Sequence, residues 1–185
     1  MVALDGRARR RLRRDEYDRM VMAGLFHGEH VELIRGELVA MSPIGSVHSA
    51  VVRVLSERLV RALPPHLMVS SQQPLACADE SEPEPDLAVV ARRPYRDAHP
   101  VAAVLVIEVA DTSVDYDLGA KAALYAESAV DEYWVIDLGR GVVVVHRARA
   151  AGRWTAITTH AADAAVAPLD LMLPPFTLAE LLRDA

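Results

Sequence analysis

Glu108 is the residue most at odds with its sequence surroundings. It stands in Val104-Leu105-Val106-Ile107-Glu108-Val109-Ala110, a run apolar on both faces and therefore expected to form a central strand. An ionised carboxylate in such a strand is costly unless it is paired, hydrogen-bonded or bound to a metal. The plainer alternative is a glutamate at the strand's wet C-terminal end. One strand earlier, Pro83 and Pro85 impose extended backbone, so Asp86 opens the short apolar strand Leu87–Ala91. Pro-Asp alone is ordinary turn chemistry. Its weight comes from the order: loop, Pro-Asp, short apolar strand, loop, apolar strand bearing Glu. Two carboxylates so placed suit a hard divalent cation, which takes oxygen ligands. A lysine two residues after Glu108 would share its face, but that position is Ala110. Lys121 lies one helical turn after Asp117, on a helix expected to pack back over the same sheet. Its long stem could deliver an ammonium there; otherwise it is a solvated surface lysine.

Several elements must position these groups. Asp15–Leu25 reads as a short helix, and Val31–Ile34 with Glu37–Ala40 as a hairpin turning at Arg35-Gly36. That register sets Glu32 opposite Val39 and Ile34 opposite Glu37, so Glu32 and Glu37 share one hairpin face. Either could be an additional acidic site residue, or both could belong to a polar outer face. Ser46 is placed to cap a helix reaching about residue 63, with Val47, Val51, Val54, Leu55 and Leu59 near helical spacing. His48 then falls in the first turn, where it could meet a phosphate or a metal-held water, or simply be exposed. Strands are expected at 68–76, 87–91, 102–109, 133–138, 142–147 and 154–158, with helices at 116–128 and 177–182. Helices interleaved with hairpins and buried strands predict an α/β fold with a mixed sheet.

Composition narrows the function classes. The 185-residue chain has a net charge of -6 and 52% hydrophobic residues, so bulk charge does not hold it to nucleic acid. Its basic residues are uneven: Arg7, Arg9, Arg10, Arg11, Arg13 and Arg14 crowd the start, and residues 1–14 read as a mobile basic arm before one domain at 15–185. Cys77 is the only cysteine, which excludes an intramolecular disulfide and a cysteine zinc cluster. The histidines show no zinc-site spacing. Apolar runs are too short to span a bilayer and no signal-peptide core follows the basic start, so a cytoplasmic protein is expected.

The series Val31-Glu32-Leu33-Ile34-Arg35-Gly36-Glu37-Leu38, His48, Pro85-Asp86, Ile107-Glu108-Val109, Asp117…Lys121…Tyr125 and Glu132-Tyr133-Trp134-Val135-Ile136-Asp137 resembles the Uma-type putative restriction endonuclease family. That family belongs to the PD-(D/E)XK nuclease superfamily. The resemblance runs from about residue 17 to 147, and the ordered set carries it rather than any single element. Ala110-Asp111-Thr112-Ser113 departs from it, since relatives show a Ser-Pro-rich turn there. The resemblance implies a restriction-endonuclease-like mixed β-sheet flanked by helices, with an N-terminal hairpin. It also implies hydrolysis of DNA phosphodiester bonds with Mg²⁺, or Mn²⁺ in its place, held by Asp86, Glu108 and the backbone carbonyl of Val109. Lys121 would be the family's lysine moved from strand to helix, with Glu32 (or Glu37) and His48 completing the site. A homodimer would suit cleavage of two strands. The rival readings are a catalytically silent module binding nucleic acid or protein on the same fold, and a phosphoesterase acting on small nucleotides.

Overall fold

The computed structural model describes residues 10–41 and 43–185. In chain order these residues form α1 (Arg14–Met22), β1 (Val31–Ile34), β2 (Glu37–Ala40), α2 (Ser46–Ala62), β3 (Leu67–Ser71), β4 (Leu87–Ala91) and β5 (Ala102–Ala110). Next come a single turn α3 (Val114–Tyr116), a π-helical turn Asp117–Lys121, and α4 (Ala122–Glu127). The chain closes with β6 (Ala129–Asp137), β7 (Val142–Ala150), β8 (Arg153–Ala161) and α5 (Leu178–Asp184). Six strands pair in the order β3-β4-β5-β6-β7-β8, and β1-β2 form a separate two-stranded sheet. Only β5 and β6 run parallel; every other neighbouring pair is antiparallel. That parallel step needs a crossover, which α3, the π-turn and α4 provide.

Alternation along the central strands separates two cores. Leu87, Leu105, Ile107, Trp134 and Ile136 face α2 and α5, while Ala88, Val106, Val135 and Ala110 face Ala122 and Tyr125 of the crossover. On α2, Val51, Leu55 and Leu59 recur at four-residue spacing and are fully buried. Burying each leucine contributes about 1.5–3 kcal/mol relative to leaving it exposed. Glu108 has the parity of Val106 and Ala110, so it points to the crossover side.

β5 is longer than the strand beside it. Its pairing with β4 stops at Leu87↔Ile107, yet β5 runs on to Ala110 and keeps pairing with β6 as far as Asp137. The residues after Ile107 therefore overhang a sheet edge left open on one side, and this overhang positions the site.

The hairpin register is the expected one, Glu32↔Val39 and Ile34↔Glu37. Other expectations need correction. Gly45, not Ser46, is the N-cap of α2, and no side chain caps it. Val47 is exposed, and Val52 is buried in its stead. β3 ends at Ser71 rather than 76, because Gln72 turns to a positive φ of 50° and donates its N–H to the carbonyls around Pro85 and Asp86. The helix expected over 116–128 starts at Val114 and is broken by the π-turn.

Of the basic arm, residues 1–9 lie outside the described residues. The described part, Arg10–Arg14, is tied down rather than loose. Leu12 N–H donates to Gly36 O at 3.0 Å and Arg14 N–H to Asp79 O at 2.7 Å. Arg11, Arg13 and Arg14 approach Glu80, Asp79 and Glu82, and Arg10 pairs with Glu16. Arg11, Arg13 and Arg14 thus face the acidic stretch Asp79–Glu82 of the protein itself. Among the described residues no helix is long and apolar enough to cross a membrane.

Candidate active site

The overhang of β5 leaves backbone groups that a neighbouring strand would otherwise satisfy, and Asp86 takes that role. Its Oδ2 accepts the Val109 N–H at 2.8 Å, while its own N–H donates to Glu108 Oε2 at 3.2 Å. The two carboxylates are thus clasped to each other's strand through reciprocal side-chain-to-backbone bonds. His48, from the first turn of α2, meets the other Asp86 oxygen, Oδ1, through Nε2 at 2.9 Å.

Glu108 is held from the crossover. Lys121 Nζ and the Tyr125 hydroxyl both donate to Oε1, each at 3.0 Å. Lys121 also lies 3.2 Å from Glu32 Oε2, delivered by the hairpin. The ammonium therefore bridges Glu32 and Glu108, although the three side chains come from three separate elements. Lys121 is only 5% exposed, Glu32 2% and Glu108 4%. The π-turn sets this geometry, because Asp117 and Lys121 are its first and last residues and both point inward.

Glu32, His48, Asp86, Glu108, Val109 and Lys121 line a cleft of about 380 Å³ together with Glu84, Asp111, Tyr116 and Asp117. Six carboxylates share it with a single ammonium, that of Lys121. Burial, opposed by Lys121 and reinforced by Asp86, Asp117 and Glu32, holds the Glu108 carboxyl up at about 8. Burial and the neighbouring acids also raise Asp117 and Glu84, against Lys121. Burial alone would lower the Lys121 ammonium, but Glu108, Glu32 and Asp117 outweigh it and hold it above the usual lysine range. Both members of the Lys121–Glu108 pair move up because one cation serves several buried acids.

The sequence placed Asp86, Glu108, Lys121, Glu32, His48 and Val109 together, and all six line this cleft. Glu37 does not; it is exposed next to the hairpin turn. Four lining groups were overlooked, one of them Asp111, directly after β5. Asp117, bonded to Ser113 Oγ at 2.5 Å, carried a signal in its four-residue spacing to Lys121. Glu84 is flanked by Pro83 and Pro85, and Tyr116 directly precedes the π-turn. Tyr125, one turn beyond Lys121, is fully buried and bonds Glu108. A further signal went unused: among 20 Lys and Arg residues, Lys121 is the only lysine.

Comparison with known proteins bears on this cleft. The model of the Uma2 family, described as "Putative restriction endonuclease", matches residues 14–179. The chain belongs to that family. The Uma2 match spans every residue named in the cleft and supports a nuclease-like function. The fold is similar to that of a crystal structure described as a putative nuclease belonging to DUF820 from Anabaena variabilis. The two share a TM-score of 0.73 at 17% identity, over 94% of this chain and 98% of that one. Among curated proteins none matches significantly.

The donor set fits a hard cation. Six carboxylates against one ammonium leave excess negative charge in a confined space, and every candidate ligand is oxygen. Among the described residues no three His, Cys, Asp or Glu side chains converge as a ready-made cage. Mg²⁺ needs none, since it is commonly bound by one or two carboxylates and otherwise keeps water or substrate phosphate.

Proposed function

We propose that this chain is a Mg²⁺-dependent endodeoxyribonuclease, with Mn²⁺ able to substitute, whose centre is Asp86 and Glu108. The observation that carries this reading is the buried Glu108, held from one side by Lys121 and Tyr125 and clasped from the other to Asp86, at the open edge of β5. DNA is the substrate class this reading takes, and the family's description as a putative restriction endonuclease supports it. Two copies, one cleft per strand, would cut a duplex through, and a cytoplasmic location suits such a substrate.

Asp86, Glu108 and the Val109 carbonyl would hold the ion. In an extended strand the N–H and C=O of one residue point to the same side, so the Val109 carbonyl follows its N–H toward Asp86. Bound Mg²⁺ supplies polarisation of the scissile phosphate and a lowered water pKa. The chain's own residues do the rest. Lys121 carries a fixed positive charge to the cleft and offsets negative charge gathering on the phosphate oxygens during displacement. Glu32 holds that ammonium from the hairpin side, which makes it a positioning residue. His48 fixes Asp86 Oδ1, leaving Oδ2 to orient the Val109 backbone. Tyr125 sets the rotamer of Glu108.

The test is cleavage of plasmid, linear, single-stranded DNA and RNA with Mg²⁺ or Mn²⁺, beside Asp86→Asn and Glu108→Gln proteins shown by circular dichroism to be folded. Loss of a residue that only orients a metal ligand commonly costs about 10–100-fold, so loss of a ligand itself should exceed about 100-fold. Undiminished cleavage by Asp86→Asn would remove it from the site. Binding of DNA by the wild type without cleavage under either metal would leave the silent binding module.

A further inference from the structure

The acidic cleft poses a problem for a polyanionic substrate, because six carboxylates repel the strand on either side of the phosphate being cut. A neighbouring groove of about 410 Å³ has the opposite chemistry. It runs along α2, with Ser49, Arg53 and Ser56 on one wall and Ser71 and Gln72 on the other, and Ile44 lines both it and the cleft. Ser49, Arg53 and Ser56 follow at four- and three-residue spacing, so they form one stripe of the helix. Hydroxyls, an amide and a guanidinium are the donors that phosphate oxygens accept from.

Arg53 stands apart from the other arginines of α2. Arg58 binds Asp184 at 2.6 Å and Arg61 pairs with Glu57, whereas exposed Arg53 has no ion pair among the described residues. The Arg61 contact also ties up Glu57, the one carboxylate lining the groove. The opposite wall is fastened to the site itself. Ser71 Oγ donates to Asp86 O at 3.2 Å, and Gln72 N–H reaches Pro85 O and Asp86 O at 3.1 Å. The groove's lining extends along α2 from Ser49 to Val60, which at 1.5 Å per residue is about 16 Å, room for more than one phosphate of a strand.

We infer that this groove carries the DNA strand flanking the scissile phosphate, with Arg53 as its phosphate anchor and Ser49, Ser56 and Gln72 as neutral donors. The inference rests on the nuclease reading and adds a path for the strand: along α2, away from the acidic floor, entering the cleft past Ile44 and His48.

The experiment measures binding of a fluorescein-labelled DNA duplex by anisotropy, without divalent metal, over a range of salt. Arg53→Ala should weaken binding equally for unrelated sequences and lower the slope of log K against log salt by about 0.9. Arg53→Glu should weaken it further, by more than about 10-fold at low salt. Arg153→Glu, an equal change in net charge on β8 at the far edge of the sheet, should have little effect. With Mg²⁺, Arg53→Ala should raise KM and leave kcat near the wild-type value. Equal binding by Arg53→Glu and wild type would overturn the inference, as would equal losses from Arg53→Glu and Arg153→Glu. Cleavage that persists while Arg53 proves irrelevant would sink the groove and spare the nuclease; an Arg53-dependent salt slope without any cleavage would do the reverse. If the wild type binds no DNA, both fall.

Discussion

Replacing Lys121 with Met tests the centre of the site without opening a large cavity, since the stem is nearly conserved. In the wild type, Nζ lies 3.0 Å from Glu108 and 3.2 Å from Glu32. At an effective dielectric of about 20, each contact is attractive by roughly 5 kcal/mol before desolvation is charged against it. Desolvation of the ammonium offsets much of this, and removing one partner of a buried pair costs about 3–5 kcal/mol net. The two carboxylates left behind can recover part of the loss by taking up protons. Glu108 already sits at about 8, against an ordinary 4.5, and losing Lys121 raises it further. A carboxyl raised in the folded state favours folding below its unfolded pKa and loses that contribution as pH rises through the folded value. Lys121→Met should therefore destabilise the protein by about 3–5 kcal/mol at pH 8 in EDTA and by clearly less at pH 5.5. Adding Glu32→Gln should return about 1–2 kcal/mol, because one unpaired buried charge is gone. Urea denaturation of the four proteins of this double-mutant cycle measures each quantity. A loss under about 1 kcal/mol, independent of pH and of Glu32, would refute Lys121 as the shared counter-ion.

The remaining predictions concern its neighbours. Tyr125→Phe removes one of two donors to Glu108 Oε1 while keeping the ring in its fully buried place; a loss of about 1.5–3 kcal/mol in thermal or chemical denaturation is expected. Mn²⁺ affinity by calorimetry should fall as well, and an unchanged affinity would deny Tyr125 any hold on the site. Glu82, outside the cleft, is raised to about 7 by burial and by Asp18, against Arg14. The folded state keeps that proton while the unfolded chain releases it near 4.5, so stability from this group falls as pH rises from about 4.5 through 7. Glu82→Gln should flatten that part of the stability profile, and a profile as steep as the wild type's would show that the proton is not held there.

Much of this arrangement was legible because it follows from strand arithmetic. The apolar run around Glu108 fixed a central strand, and Pro85-Asp86 marked the mouth of the strand beside it; the structure sets the two face to face one residue past the last paired position. The Arg35-Gly36 turn fixed the hairpin register, and with it the face of Glu32. Register alone could not choose between Glu32 and Glu37, because that choice depends on which end of the hairpin lies over the sheet. The Ser46 cap failed because Gly45 supplies extended backbone before the first helical residue and no side-chain bond is made. Arg11, Arg13 and Arg14 read as free charge because their partners, Glu80, Asp79 and Glu82, are remote in sequence. Asp117 and Tyr125 were visible only as residues flanking Lys121 by four, and the break in helical winding between Asp117 and Lys121 leaves no clear mark in periodicity.

That break has a consequence for chain length. A π-turn contains one more residue than an α-helix would need over the same rise, and each residue advances the helix by about 100°. Deleting one residue between Asp117 and Lys121 would let the helix close its ordinary hydrogen bonds and leave the two three apart, still on one face. Gly119, at the centre of the turn, has open space where a Cβ would stand, so a side chain there is tolerated. The segment is thus permissive to exchange at Gly119 and to the loss of one residue: the turn absorbs the surplus, and its two ends keep their facing. A chain shortened by one at this point would keep its sheet, both its cores, nearly all its sequence and an only lysine still turned to the side of Asp117.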